Sequence, residues 1–569
     1  MRCETSFFSL TFYKKLLTRN WPIWAVWLIG WFAAMPVNLL NLRDTPELPQ
    51  AAAGFANLPG GSSFLMAGMA IITAVGMFFY LFKDSAMNLM GALPLRREGL
   101  FASAYAAGFT ILLLPLVLVT LVTAPVEAAL GCLNLPALLQ FLGGSALTAL
   151  FWFSFATLCC VISGNGVAAA IFFAIFNFVV PLMSSLVSSV LETFLYGYTG
   201  LPAGILEAVA WCTPVDNLGR TGPGWWDMAA IYAGVGFLML LAALGLHHIR
   251  RAERSGDLIS FTALRYIFKV CVIVCGGLSL GLCFVMLFFP TRMDDLYLPL
   301  TFCCCTAAVL SAFVAEMLLK KSFRVWKTSW RWALVSALAF ALVLAVPQFD
   351  LLGFETRIPA PTQVSSAVAT FSGSTIRYDA PSASGLSYEG DSLALLAQLH
   401  TYAVEHREET SSSTRGEYYS FSLRYTLNNG AVLRRKYAFY TDPGSPLSRL
   451  VADTIAAGRI TFQPSDSKPD DGEISWETDQ YGSTNYLNSS DAAELLAAAM
   501  EDVAAGRYTY SPASGQDVRV TLRFGWSDGS RSTFYCSSGT TSANAAVARL
   551  FPNPPSAADF LAEETVSDS

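Results

Sequence analysis

Charged side chains are scarce. Asp, Glu, Lys and Arg make up 14% of the 569 residues, against about 25% in soluble domains. That deficit excludes an ordinary water-soluble chain. Histidine is scarcer still: there are four, His247, His248, His400 and His406. No Gly-Lys dipeptide occurs anywhere, which excludes the P-loop that cradles nucleotide phosphates. No His-Glu-x-x-His is present, which argues against a zinc-dependent membrane hydrolase. Of twelve cysteines, eleven precede residue 310, mostly inside apolar runs such as Cys159-Cys160 and Cys303-Cys304-Cys305. Their spacing is not that of a zinc site. Cys536 stands alone in the C-terminal part, so no disulfide forms within it. No catalytic residue, metal, cofactor or nucleic-acid partner is expected.

What the chain does have is long apolar runs, at about 21–40, 64–82, 101–123, 141–162, 166–187, 228–246, 268–289, 297–319 and 331–347. About 20 apolar residues cross a ~30 Å hydrocarbon core as a helix. Lipid offers backbone groups no partners, so each run is expected to be helical. The first is too long for a cleavable signal peptide. With the N-terminus inside, the inner segments hold 17 Lys/Arg and the outer loops three, Arg43, Arg220 and Arg292. That asymmetry predicts nine spans with a cytoplasmic N-terminus and residues 350–569 outside the cytoplasm. Near Asp350 the composition changes: residues 1–349 carry 20 Lys/Arg and 15 Asp/Glu, residues 350–569 carry 16 and 27. Ionisable and amide groups inside spans are functional candidates. Glu316 precedes Lys320 by four residues, the spacing of an ion pair on one helix face. Asn177, mid-span, is expected to hydrogen-bond a neighbouring helix. His247 and His248 fall where lipid headgroups are expected.

The C-terminal part contains a self-similarity at an offset of about 100 residues. Asp391 to Leu399 matches Asp491 to Ala499, and Leu447, Leu450 and Val451 match Val547, Leu550 and Phe551. Between them, Tyr419 to Leu427 alternates and ends in Asn429-Gly430, while Val518 to Trp526 alternates and ends in Asp528-Gly529. Alternation closed by such a turn predicts a β-hairpin. The expected fold is a polytopic α-helical membrane protein of about nine spans. Its C-terminal α+β extracytoplasmic domain is built from two helix–hairpin–helix repeats, at about 389–457 and 489–552. The Ser/Pro/Asp-rich stretch 464–472 reads as their linker. His400 and His406 read as surface or core rather than catalytic.

Between the second and third spans lies a short amphipathic stretch, Ala86 to Leu93, then Leu93-Pro94-Leu95-Arg96-Arg97-Glu98 and Leu100-Phe101. This segment resembles the coupling helix of type-two ABC transporter permeases. The amphipathic N-terminus, Phe7 to Asn20, resembles their interfacial connecting helix, and 188–226 their outer hairpin of short helices. Residues 21–247 then match a six-span permease core, and 248–349 add a cytoplasmic linker and three spans. The whole layout is similar to the permease subunits of Ytr-type transporters of Gram-positive bacteria. The resemblance implies an exporter powered by a separate ABC ATPase subunit docking on Leu93, Pro94, Leu95, Arg96 and Arg97. It also implies a permease pair, either a homodimer or one with a sister permease, embedded in membrane lipid. A different class stays open: a non-transporting membrane sensor whose outer domain binds a ligand. A secondary transporter would carry inverted repeats among its spans, and the self-similarity lies only in the C-terminal part.

Overall fold

The computed structural model describes residues 8–91, 96–222, 224–250, 256–289, 297–351, 353–373, 386–406, 417–441, 445–460, 469, 471–476, 483–505, 520–525, 531–536 and 540–551. The chain divides into two compact units. One comprises 1–189, 201–289 and 298–343; the other comprises 190–200, 290–297 and 344–569.

The first unit is helical. α1 (Leu10–Arg19) is capped by the Ser9 hydroxyl and is held to a later helix by a Tyr13 hydroxyl donating to Thr110 Oγ1 at 3.0 Å. α2 (Trp21–Phe32) widens into a π turn over Ala33–Val37, around Pro36, and ends as α3 (Asn38–Asn41). Proline removes a backbone donor and forces such an adjustment. Two short helices, α4 (Leu48–Gly54) and α5 (Leu58–Gly61), lead to α6 (Ser63–Met77). Then come α7 (Asp84–Gly91), α8 (Arg97–Ala129), α9 (Leu135–Ile162), α10 (Gly166–Phe194), α11 (Ala203–Trp211), α12 (Pro214–Gly219) and α13 (Trp225–Ile249). The three remaining long helices are α14 (Thr262–Phe288), α15 (Tyr297–Lys320) and α16 (Trp326–Gln348).

Among the described residues, eight helices are long and apolar enough to cross a membrane. The second expected run is the exception: α6 has only 15 residues, about 22 Å of helix. It passes the same test only together with the α4–α5 stretch, from which it bends by 52°. The Gly60-Gly61 pair that ends α5 accounts for the break. One face of α6, with Met66, Ala67, Ala70, Ala74 and Met77, is buried by neighbouring helices, while Phe64, Leu65 and Ile72 are exposed.

α9 is the hub of this unit. Its Trp152 is fully buried and donates to Ser63 Oγ at 3.0 Å. α13 lies against it so closely that a Cβ at Gly236 would stand 2.6 Å from Phe151 Cα. Small residues at such crossings let backbones approach where lipid supplies no hydrophobic drive. The same device joins α14 to α15, where a Cβ on Gly281 would meet Cys304.

The second unit holds the strands. β1 (Val364–Gly373), β2 (Leu386–Tyr388), α17 (Ser392–Glu405), β3 (Glu417–Leu427), β4 (Val432–Thr441), α18 (Pro446–Ala457) and β5 (Arg459–Ile460) build an antiparallel sheet of order β4-β3-β1-β2-β5. β6 (Asp471–Trp476), β7 (Ser483–Leu487), α19 (Ser489–Ala504), β8 (Val520–Gly525), β9 (Arg531–Cys536) and α20 (Thr541–Leu550) build a second, of order β7-β6-β8-β9. The expected hairpin around Asn429-Gly430 is present as β3–β4, with Gly430 at φ 80°. The second expected turn, Asp528-Gly529, lies outside the described residues. A strand pair precedes α17 and another precedes α19, so each group of elements starts earlier than 389 and 489. The supposed linker 464–472 runs into β6. Phe421, Leu423, Tyr425 and Phe439 face Leu396, Leu399, Leu447 and Val451 in one core. Ile474, Leu522, Phe524 and Phe534 line the continuation of that core with Leu495 and Leu496.

Candidate functional site

α7 is the element the sequence singled out. It is a two-turn helix with two faces: Ala86, Met87 and Met90 pack on the helical core, while Leu89 is 64% exposed. Leu93, Pro94 and Leu95 lie outside the described residues. Arg96 and Arg97 are exposed, and Arg96 occupies the N-cap of α8. Just beyond, Leu100 and Phe101 are buried and anchor that helix.

The support beneath α7 comes from a residue that sequence reasoning counted only as one more basic charge. Arg250, at the end of α13, is 2% exposed. Its guanidinium donates to Cys160 O at 3.1 Å, Val161 O at 2.8 Å and Leu81 O at 2.8 Å. The first two carbonyls belong to the last turn of α9, where intrahelical donors run out. The third ends the 3-10 turn Phe79–Leu81 that leads into α7. Five fixed donors in one plane suit guanidinium to this triple cap. Arg97 donates to Arg250 O at 3.4 Å, and the Phe79 ring lies under Arg19 and Lys83 at 5.5 and 5.0 Å. The start of α7 is therefore fixed to the ends of α1, α9 and α13 and the beginning of α8. Such a junction can pass a push on α7 to several long helices together.

The two neighbouring histidines divide. His248 faces Glu98 at 3.7 Å, but His247 is buried, beside Phe101, with Nε2 3.3 Å from the Tyr80 hydroxyl. The headgroup contact expected of His247 is corrected, because its helix face turns to the core. Asn177 also departs from expectation. Its Nδ2 donates to Phe173 O at 2.7 Å, one turn back on its own helix, and not to a neighbouring helix. Glu316 does meet Lys320, at 3.3 Å. It is also paired with Lys269 of α14, whose ammonium sits 4.0 Å from the Trp332 ring of α16. This pin through α14, α15 and α16 was not foreseen, because Lys269 lies 47 residues from Glu316.

In the second unit, the turn that follows α10 is built into the strand domain. Tyr196 N donates to Glu355 Oε1 at 2.7 Å, and Lys436 N donates to Gly197 O at 3.1 Å. Gly197, at φ 79°, lies so near Tyr437 that a Cβ would stand 2.7 Å from its ring. Behind Tyr437, whose hydroxyl is 2.9 Å from His400 Nε2, Arg435 is 1% exposed. Arg435 donates to Phe354 O at 2.7 Å and stacks over the Phe354 ring at 3.8 Å. Burial, helped by the Arg435 charge, holds the His400 imidazole down at about 4. His400 is therefore a neutral core residue. Among the described residues no group of three His, Cys, Asp or Glu could hold a metal.

Of the family models, curated proteins and solved structures compared with the chain, none matches.

Proposed function

We propose that the chain is the membrane-spanning permease subunit of an ATP-binding-cassette exporter, driven by a separate ATPase and working as a pair with a second copy or a sister permease. The observation that carries this reading is α7: a short helix with Leu89 outward, seated on the Arg250 junction and followed by Arg96-Arg97. A short amphipathic helix tied to several spans is what a soluble motor needs as a handle. The 17:3 distribution of Lys/Arg supports a cytoplasmic α7 and an extracytoplasmic strand domain, with α6 completing a ninth crossing. The reading of the strand domain as two copies is supported by the offset of about 100 residues and by the common strand order: first hairpin, helix, second hairpin, helix.

One observation favours the sensor reading. The turn after α10 is clamped by Glu355, Lys436 and Tyr437, so a ligand held by the strand domain would act on the fifth span directly.

Purification of the full chain in mild detergent separates the two. An ATPase subunit should accompany the wild type and be lost from Leu89→Asp, and from the Leu93→Asp, Leu95→Asp double variant. Retention of the ATPase by both variants would overturn the coupling role of α7. Absence of any ATPase from the wild type would favour the sensor.

A further inference from the structure

Between α10 and α14 the helical unit leaves an apolar groove of about 440 Å³. Phe172, Ala174, Phe178, Ile267, Cys271 and Cys275 line it. A void of this kind stays dry in water, and left empty it forfeits packing on every wall. In a bilayer the wall residues instead face hydrocarbon: Phe178 and Ile267 are 49% and 59% exposed, with no helix of the described residues covering them. The vacancy is apolar and runs between two parallel helices, along Phe172 to Leu182 of α10 and Leu264 to Cys275 of α14, a shape that suits an acyl chain.

One end of the groove differs from the other. Ile162, Ile259 and Leu264 close it, on a rim fixed by backbone hydrogen bonds from Gly164 N to Asp257 O, Gly256 N to Gly164 O and Ser260 N to Ile162 O. On that rim Arg265 pairs with Asp257 at 2.6 Å and donates to Ile259 O at 3.2 Å, and Lys321 reaches Gly256 O. Lys320 and Lys269 share the single carboxylate of Glu316. Among the described residues, four cations thus meet two carboxylates. Lys320 keeps 43% of its side chain exposed and Lys321 is exposed. Basic clusters at one end of an interhelical pocket suit the phosphate of an anionic lipid.

We infer that the α10–α14 groove is a binding site for one anionic phospholipid. One acyl chain lies along the Phe172–Phe178 wall, and the phosphate is held at the Arg265, Lys320 and Lys321 rim. The site depends on the helices being in a membrane and is independent of the transport reading. Charge at the rim selects the headgroup, and the groove selects a chain over bulk lipid. A bound lipid here bridges the core helix α10 to the added helices α14 and α15.

Native mass spectrometry of the full chain in detergent, after incubation with phosphatidylglycerol or phosphatidylcholine, tests this. One phosphatidylglycerol should remain bound under conditions that strip phosphatidylcholine. Lys321→Gln, at an exposed position, should lower its retention about five-fold, the contribution of one cation near an anionic surface. Ala174→Trp, which fills the groove, should abolish retention while leaving the gel-filtration profile unchanged. Equal retention of the two lipids, or a lipid kept by Ala174→Trp, would overturn the site. So would efficient cross-linking of two copies through a lone Cys271 in native membranes, because a second copy would then cover the groove.

Discussion

Buried polar groups are handled differently in the helical unit and the strand unit. Along the long helices, several buried hydroxyls and amides bond back to their own helix, among them Ser103 to Gly99 O, Thr120 to Leu116 O, Thr123 to Val119 O and Asn177 to Phe173 O, all one turn away, while the rings of Trp27 and Trp152 donate across to Leu112 O and Ser63 Oγ. In the strand unit Thr454 also bonds back, to Leu450 O, but buried rings and a carboxylate bond across elements. Tyr388 donates to Thr454 O, and His400 meets Tyr437. Asp502 of α19 accepts from Ser542 N and Ala543 N at the start of α20. A helix in lipid must satisfy its own backbone and side chains before it meets a neighbour. A domain in water can leave that satisfaction to tertiary packing. The charged links that do cross between long helices, Arg250 and Lys269–Glu316, therefore mark where helices are held in fixed relation.

The sharpest test of this contrast is a carboxylate in the strand core. Leu423 and Leu522 are 1% and 0% exposed and sit in different sheets. Leu423→Asp or Leu522→Asp buries an unpaired charge, which costs several kcal/mol or more, on the scale of the ~5–15 kcal/mol that holds a domain together. Each should make residues 350–569 of the purified full chain protease-sensitive while the helical unit stays resistant. Resistance of both variants would show that the strand unit does not fold around this core.

A titration gives the next largest effect. His400 is neutral in the fold at about 4, against 6.5 for an unperturbed imidazole. The groups facing it are Arg435, Tyr425 and Tyr437. The unfolded chain binds the proton first, so this stability is complete above about pH 6.5 and declines as pH falls toward 4. By pH 5 the loss should be about 2 kcal/mol. Thermal melts of the wild type and of His400→Leu at pH 7 and pH 5 measure it. The wild type should lose more than the variant; equal losses would mean that His400 is not the group responsible.

The same contrast explains what could be read in advance. Eight long helices were legible because lipid imposes a length and a composition on each crossing. α6 was legible as an apolar run but not as a 15-residue helix, since the run continues through the 3-10 turn Phe79–Leu81, which hydropathy does not distinguish from helix. Hairpin β3–β4 was legible because large residues alternate and Asn429-Gly430 closes them. β1 was not, because its inward residues include Ala367 and Ala369, which carry little strand signal. At the candidate site, α7 was visible through its amphipathicity. Arg250 was not, because a cationic residue at a span end reads as topology, and only the fold brings it to three carbonyls. Lys269–Glu316 and the Gly197–Tyr437 contact were hidden for the same reason: both depend on long-range placement.

The smallest expected effect is the most direct check on the helical side of the comparison. Thr123 is fully buried in α8, and its hydroxyl donates to Val119 O at 2.8 Å. That carbonyl already accepts the backbone bond of its own helix, so removing the hydroxyl leaves no orphaned acceptor. Valine keeps the branched shape, and hydroxyl bonding to the preceding turn slightly destabilises and bends helices. Thr123→Val should therefore change the melting of the detergent-purified chain by less than about 0.5 kcal/mol, in either direction. If it destabilises the chain by about 2 kcal/mol or more, the size expected for breaking a buried cross-element network, Thr123 is bonded to a neighbouring helix. α8 would then be tied at this point by a polar contact to another helix, as α9 is through Trp152.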